Sequence, residues 1–461
     1  MFGVKLVTAA AAAVLVMACA GPTPALADTI EAALVRAYQN NPQLNASRAQ
    51  ARAVDEGVPQ ALSGYRPKVS LNATAGIQYQ DVQTAPATPA GHGVQRPRSV
   101  GLTVNQTLYN GQQTANGVRK AEASVSAQRE ALRILEQQVL LAAATIYMDY
   151  LRDAAIVEVQ RSNTRVLEQT LKQTRDRFNV GEVTRTDVAQ SEAQLAAGRT
   201  QQLTAEAQLT ATRSNFRRII GNDPQNLAPG SPVDRYLPPT LQQSVETALT
   251  ENPSVTSAMY GIDVQYLETK IKEGALLPTV NLQAQAQQSY ESSLQSYRGF
   301  NASAVASLTV PIYNGGAEYS LIRQSKESLA QQRLVLEQTR DQARSDVVSA
   351  WGKLLAGKAQ VQSAQAQVSA SEIALNGVRE EAKAGQRTTL DVLNAQQALV
   401  NARNSLVNAQ HDRVVASYTV LQTVGRLSPQ VLNLPTTTYD PSVHYQQVRD
   451  NWAGVRTPDG H

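Results

Sequence analysis

Two hydrophobic periods take turns along the chain. From Val69 to Gln80 the apolar positions Val69, Leu71, Ala73, Ala75, Ile77 and Tyr79 alternate with Ser70, Asn72, Thr74, Gly76, Gln78 and Gln80. A period of two with an unbroken polar face predicts a strand that keeps one side wet. Val100, Leu102 and Val104 alternate in the same way further on, and so do Val280, Leu282, Ala284 and Ala286. A fourth such segment carries Ala304, Ala306, Leu308, Val310 and Ile312. These patterns predict strands at about residues 67–80, 99–109, 278–290 and 302–313, joined in pairs by loops at 81–97 and 289–301. Elsewhere the apolar steps are three and four. Leu132, Leu135, Val139, Ala142 and Ile146 follow that spacing, as do Val188, Leu195, Ala205, Leu209, Phe216 and Ile219. Val392, Ala395, Leu399, Ala402, Leu406 and Ala409 form a third seam. Period 3.5 implies helices supercoiled left-handedly against neighbours.

The same order of elements occurs twice. Gly181, Thr184, Asp187, Val188, Leu195, Arg199, Ala205 and Gly221 recur 204 positions later as Gly385, Thr388, Asp391, Val392, Leu399, Arg403, Ala409 and Gly425. Each copy reads as a chain reversal followed by a long helix. Gly181 and Gly385 suit the left-handed residue just past an incoming helix. Thr184 and Thr388 can cap the outgoing helix, and Asp187 and Asp391, three residues on, complete a capping-box pattern. Upstream, a helical stretch broken at Asn40-Asn41-Pro42 has its counterpart at Asn252-Pro253. The domains expected are a first repeat over residues 28–228, a Pro-rich linker at 229–240 and a second repeat over 241–434. A loosely ordered tail, 435–461, is expected to follow.

Proline is absent from Arg98 to Asp223 and again from Ile312 to Ser428. Because proline costs about 3 kcal/mol inside a helix, such runs suit uninterrupted helices. Helical hairpins are predicted over 112–221 and 316–425. The helix Gln113–Phe178 would span roughly 99 Å, and its return helix Thr186–Ile220 only about 52 Å. A shorter helix, Gln43–Ser63, would cover much of the remainder, so that one long helix lies beside two short ones. The fold class is mainly α with a β-barrel contribution. Strands of roughly ten residues have the length of membrane β-strands. Four cannot close a barrel, and an open edge is not viable in lipid. Two copies would give eight strands and a filled interior; three would give twelve and room for water.

Composition narrows the class. Lys5 precedes the apolar run Leu6–Ala20, which is too short to span a bilayer, and Ala25-Leu26-Ala27 fits a signal-peptide cleavage site before Asp28. The competing signal is lipidation at Cys19, the one cysteine. If Ala27 is the cut, the secreted chain has no thiol or disulfide chemistry. The formal charge of +4 is spread too evenly to argue for nucleic acid. Four histidines stand far apart, none at metal-ligand spacing. No nucleophile elbow or phosphate loop occurs, so neither an enzyme nor a cofactor is expected. A soluble periplasmic coiled-coil adaptor would share the hairpins, but it would not need the four alternating strands.

Together the duplication, the strand–loop–strand inserts and the Tyr109-Asn110-Gly111 and Tyr313-Asn314-Gly315 turns resemble the TolC family of outer-membrane efflux and type I secretion channels. The phrases Phe178-Asn179-Val180-Gly181 and Arg387-Thr388…Asp391-Val392-Leu393 add to that resemblance. It implies a homotrimer, with a twelve-stranded barrel among outer-membrane lipids and a helical tunnel through the periplasm. It also implies a periplasmic adaptor and an inner-membrane transporter of the ABC or RND type. Cargo would be small toxic compounds or proteins. At the tunnel's periplasmic gate it implies an Arg387 tie to Asp187 and an acidic ring at Asp391. Asn394 stands where a second acidic ring is expected, and Ala382 where a gate tyrosine is. The residues alone leave a plainer alternative open: a carboxylate three residues after a capping threonine favours a helix N-terminus without any pore.

Overall fold

The computed structural model describes residues 28–82, 91–291, 298–458 and 460. The proposed cleavage site at Ala27 and the lipidation alternative at Cys19 lie outside them; Asp28 is the first described residue. The first described helices are α1 (Ile30–Asn40), α2 (Pro42–Asp55) and α3 (Gly57–Leu62). At the junction of α1 and α2 the Asn41 carboxamide accepts from the N–H groups of Gln43 and Leu44, and Pro42 takes the first helical position. That position needs no N–H donor, so the proline costs nothing there. The single helix expected over Gln43–Ser63 is instead divided between α2 and α3. Pro59 cannot donate to the Asp55 carbonyl one turn back, and its ring crowds that oxygen.

Strands β1 (Lys68–Ala75), β2 (Gln78–Val82), β3 (Gly91–Gln95) and β4 (Arg98–Asn110) follow. The continuous strand expected to residue 80 is broken after Ala75, and the expected loop at 81–97 contains β3. Gly76 donates to the Pro97 carbonyl at 2.9 Å, but proline has no N–H to return the bond. The ladder therefore stops, and β2 and β3 pair as a separate two-stranded ribbon.

Helices α4 (Gln113–Asn179, 67 residues) and α5 (Arg185–Ile220, 36 residues) form the first hairpin. The second half repeats the plan with α6 (Leu241–Glu251), α7 (Pro253–Gly274), β5 (Thr279–Tyr290) and β6 (Arg298–Thr309). Its hairpin is α8 (Ala317–Lys383, 67 residues) and α9 (Thr389–Thr423, 35 residues). Asn252 and Pro253 reproduce the cap of Asn41 and Pro42. β6 lies four residues earlier than expected, and Val310–Tyr313 leave the sheet, where Pro311 could not have donated.

Four strands form one antiparallel sheet in the order β1-β4-β5-β6. Register aligns the alternating patterns across every strand. Leu71, Leu102, Ala286 and Ala302 make one apolar row, and Val69, Val104, Ala284 and Ala304 the next. On the opposite face Ser70, Thr103, Gln285 and Ser303 align, beside Asn72, Gly101, Gln287 and Asn301. Among the described residues no second layer covers the apolar face, and Leu71 is 71% exposed. Neither β1 nor β6 has a partner on its outer edge among the described residues.

The helices lie side by side in the same sense. Near the sheet α2 and α3 pack on α4, α4 on α7 and α7 on α8; towards the reversals α5 packs on α4, α4 on α9 and α9 on α8. At mid-height a core gathers Leu34 and Ala37 of α1, Leu140 and Tyr147 of α4, Phe216 of α5 and Tyr418 of α9. Linker residue Val233 and Leu427, Leu432 and Leu434 beyond α9 complete it. The Tyr147 hydroxyl sits 2.7 Å from the Asp28 carbonyl and 2.6 Å from that of Ala228, pinning Asp28 to the last residue before the linker. The tail, expected to be loosely held, carries a helix, α10 (Pro441–Val448). It docks on α2 through a 3.0 Å contact between His444 Nδ1 and Asp55 Oδ2, both buried.

Candidate functional site: the two helical reversals

At the end farthest from the sheet the chain turns back twice, and the two turns are built alike. Gly181 at φ 82° and Gly385 at φ 76° take the left-handed conformation that a side chain would strain. Each is followed by a bond that closes the helix end: Glu182 N–H to the Arg177 carbonyl, and Gln386 N–H to that of Glu381, both 2.9 Å. Thr184 then caps α5 and Thr388 caps α9. The Asp187 carboxylate accepts from the Thr184 N–H at 2.8 Å and from its hydroxyl at 2.7 Å. Asp391 accepts from the Thr388 N–H at 3.0 Å and from its hydroxyl at 2.9 Å. In each box the threonine hydroxyl also receives the aspartate N–H, at 3.3 and 3.2 Å.

These bonds hold both carboxyls below the usual aspartate range. For Asp187 the threonine hydroxyl is the larger influence, for Asp391 the threonine N–H. Both aspartates are therefore anionic at neutral pH, at helix N-termini that favour negative charge.

The tie from Arg387 to Asp187 is not formed within the chain. Arg387 Nε donates instead to Glu381 Oε2 at 2.8 Å, and this bond raises the affinity of the guanidinium for its proton. A local partner six residues back needs no second hairpin to be held in place. The first reversal contains a matching pair of opposite polarity, Arg177 Nε to Glu182 Oε2 at 3.0 Å. Arg177 and Glu381 are 204 positions apart, so one position of the repeat has exchanged its sign. That exchange is visible in the aligned repeats. Arg199–Glu168 and Arg403–Glu372, both 2.8 Å, are also equivalent pairs and stitch each hairpin together farther up.

Asn394 is exposed one turn beyond Asp391, and Ala382 lies half-buried before the second reversal. Between these residues Leu393 enters a cluster with Leu167, Leu171 and Leu195, which fastens the second hairpin to the first. Gln396 reinforces the joint by donating to Asn163 at 3.3 Å. No group of His, Cys, Asp or Glu able to hold a metal occurs among the described residues. The reversals present oriented charge and helix ends, with no nucleophile paired to a base.

The chain matches the family described as outer membrane efflux protein over residues 33–222 and 244–426. It is 40% identical over 439 residues to the outer membrane efflux protein BepC of Brucella suis, covering 95% of this chain and 94% of that one. It is 26% identical to the outer membrane protein TolC of Vibrio cholerae, over 86% of this chain and 90% of that one. The solved CmeC outer membrane channel of Campylobacter jejuni superposes with a TM-score of 0.78 at 15% identity, over 91% of this chain and 89% of that one. An uncovered apolar sheet face, paired hairpins with capped reversals and these likenesses lead to one conclusion: the chain belongs to the outer membrane efflux protein family, and it is an outer-membrane channel protein rather than an enzyme.

Proposed function

We propose that three copies close edge to edge into a channel-tunnel with a twelve-stranded barrel in the outer membrane and a helical barrel in the periplasm. The observation that carries this is the one-layer order of the chain. On one side it ends in β1, α2 and α5, and on the other in β6 and α8. Unpaired strand edges and lipid are incompatible. α8 also leaves Leu334, Val348, Leu355 and Ile373 exposed along its length. A head-to-tail ring would cover both sets at once, β6 and α8 of each copy meeting β1, α2 and α5 of the next. The polar row of Ser70, Thr103, Gln285 and Ser303 would then line a wet lumen.

In this reading the mature chain starts at Asp28 and consists of two repeats, residues 28–228 and 241–434, joined by 229–240. The reversals form the periplasmic gate. Asp391 supplies a ring of three carboxylates there, and Arg387, Asp187 and Asn394 flank it. The trimer is the exit duct for an inner-membrane transporter of ABC or RND type, joined through a periplasmic adaptor. It passes small toxic compounds or proteins to the outside. A soluble adaptor, the competing reading, would have no use for a sheet with an uncovered apolar face. Membrane fractionation tests the proposal. The protein should resist extraction by carbonate or urea and require detergent, and in planar bilayers it should form stepwise, water-filled conductances. Release into the soluble periplasmic fraction without detergent would contradict it.

A further inference from the structure

The segment beyond α10 runs back to the foot of the sheet, and the channel reading leaves it without a role. α10 is fixed by the buried His444–Asp55 contact and by Arg129, whose guanidinium lies 5.2 Å from the centre of the Tyr445 ring. Beyond it, Arg66 Nη1 donates to the Asn451 carbonyl at 2.6 Å, and the Arg66 guanidinium stacks 4.6 Å over the Trp452 ring. Arg66 stands two residues before β1, and Gln106 of β4 donates to the Tyr65 carbonyl at 3.0 Å, so this point is tied to the strands themselves. Trp452 is therefore held at the level where the apolar rows begin, a few residues from Val69 and Leu71, and is 71% exposed.

Exposed tyrosines already occupy that level. Tyr65 precedes β1, Tyr109 stands near the end of β4 and Tyr313 follows β6. Indole and phenol rings favour the boundary between headgroups and hydrocarbon, where one end is apolar and the other wet. Arg66 and Lys68 beside them carry charge of the sign that lipid phosphates attract.

We propose that the C-terminal segment is a strap that places Trp452, through Arg66, in the phospholipid headgroup layer of the periplasmic leaflet. The surface continues the lipid-facing side of the sheet, so the proposal rests on the membrane-spanning reading given above. Its partner is the zwitterionic or anionic headgroup boundary. The strap locks the tilt of the upper helices to the plane of the membrane.

The chain has two tryptophans, Trp351 and Trp452, so Trp351→Phe leaves Trp452 as sole reporter. The full mature protein is reconstituted into vesicles whose acyl chains are brominated close to the headgroup or deep in the bilayer. Trp452 emission should be lost with shallow bromine, less so with deep bromine, and resist aqueous iodide. Adding Arg66→Ala should abolish the lipid quenching and open the ring to iodide. Iodide quenching without loss to shallow bromine overturns the proposal, as does unchanged lipid quenching in Arg66→Ala. A parallel Leu71→Trp reporter, made with both native tryptophans replaced by Phe, tests the sheet separately. If it is quenched by deep bromine while Trp452 is quenched by neither the shallow nor the deep label, the strap alone fails. If it escapes lipid as well, the spanning reading fails with it.

Discussion

Arg387 meets Glu381 within its own reversal, Nε to Oε2 at 2.8 Å, and leaves Asp187 to the Thr184 cap. The structure thus divides the charges of the two turns into separate local sets. It follows that Arg387→Ser and Glu381→Gln should alter bilayer conductance in the same direction, and that the double variant should add little to either. Arg387→Ser and Asp187→Ala should instead act independently. A strong coupling between Arg387 and Asp187 in a double-mutant cycle would mean that assembly transfers the arginine from one partner to the other.

Asp391 carries two roles that one substitution separates. Asp391→Asn keeps the side-chain size and an oxygen for the Thr388 N–H while removing the charge. If three carboxylates surround the tunnel axis, the parent channel should prefer cations and be blocked by multivalent cations from the periplasmic side. With Asn394 in place of a second acid, the block should be weak and should fade as salt screens it. The Asn variant should lose both preference and block at nearly unchanged thermal stability. Retention of both would leave the carboxylate as a helix cap only.

Two helix-ending glycines look interchangeable in the sequence and are not. Gly221 at φ 98° has open space where a Cβ would stand, whereas at Gly425, φ 89°, a Cβ would lie 2.6 Å from Asn252 Cα and 2.8 Å from the Glu251 carbonyl oxygen. Gly221→Ala should cost only the left-handed strain, about 1–2 kcal/mol. Gly425→Ala must in addition displace backbone at the α6–α7 joint, which adds about 1–3 kcal/mol. Thermal unfolding in detergent should rank the two in that order.

A histidine in the helical region makes stability depend on pH. His411 Nε2 lies 2.9 Å from Asp149 Oδ1, and Nδ1 lies 2.8 Å from Asp412 Oδ1. Burial opposes the imidazolium, and nearby Arg152 opposes it as well. The two carboxylates outweigh them and raise the affinity for the proton. The stabilisation is therefore complete below the unfolded value of about 6.5 and is lost as pH climbs through the higher folded value. The unfolding temperature should fall as pH rises above about 6.5, with a shallower slope in His411→Gln. Equal slopes in parent and variant would show that another group titrates.

What the sequence disclosed depended on how far apart the interacting residues are. The Thr184–Asp187 and Thr388–Asp391 boxes and the Asn41-Pro42 and Asn252-Pro253 joints are contacts within four residues, so the chain announces them directly. The apolar rows of the sheet were legible because period two fixes which side chains share a face. The break after Ala75 was not, since its cause, Pro97, stands opposite Gly76 just ahead of β4, about twenty residues on along the chain. α10 is eight residues long and gains its order from Asp55, 389 positions away, a contact that no local pattern encodes. Within the chain Arg387 pairs with Glu381, six residues away and so open to a local reading, whereas the likeness to known channels points the arginine across to the first reversal.

The proposed channel follows from the open edges at β1 and β6. The direct test is the mass of the detergent-solubilised mature protein, measured by light scattering with the detergent contribution subtracted or by native mass spectrometry. Three copies per particle, dissociating only on unfolding, is the predicted result. A monodisperse, folded monomer would show that β1 and β6 find another way to close, and would contradict the channel architecture at its foundation.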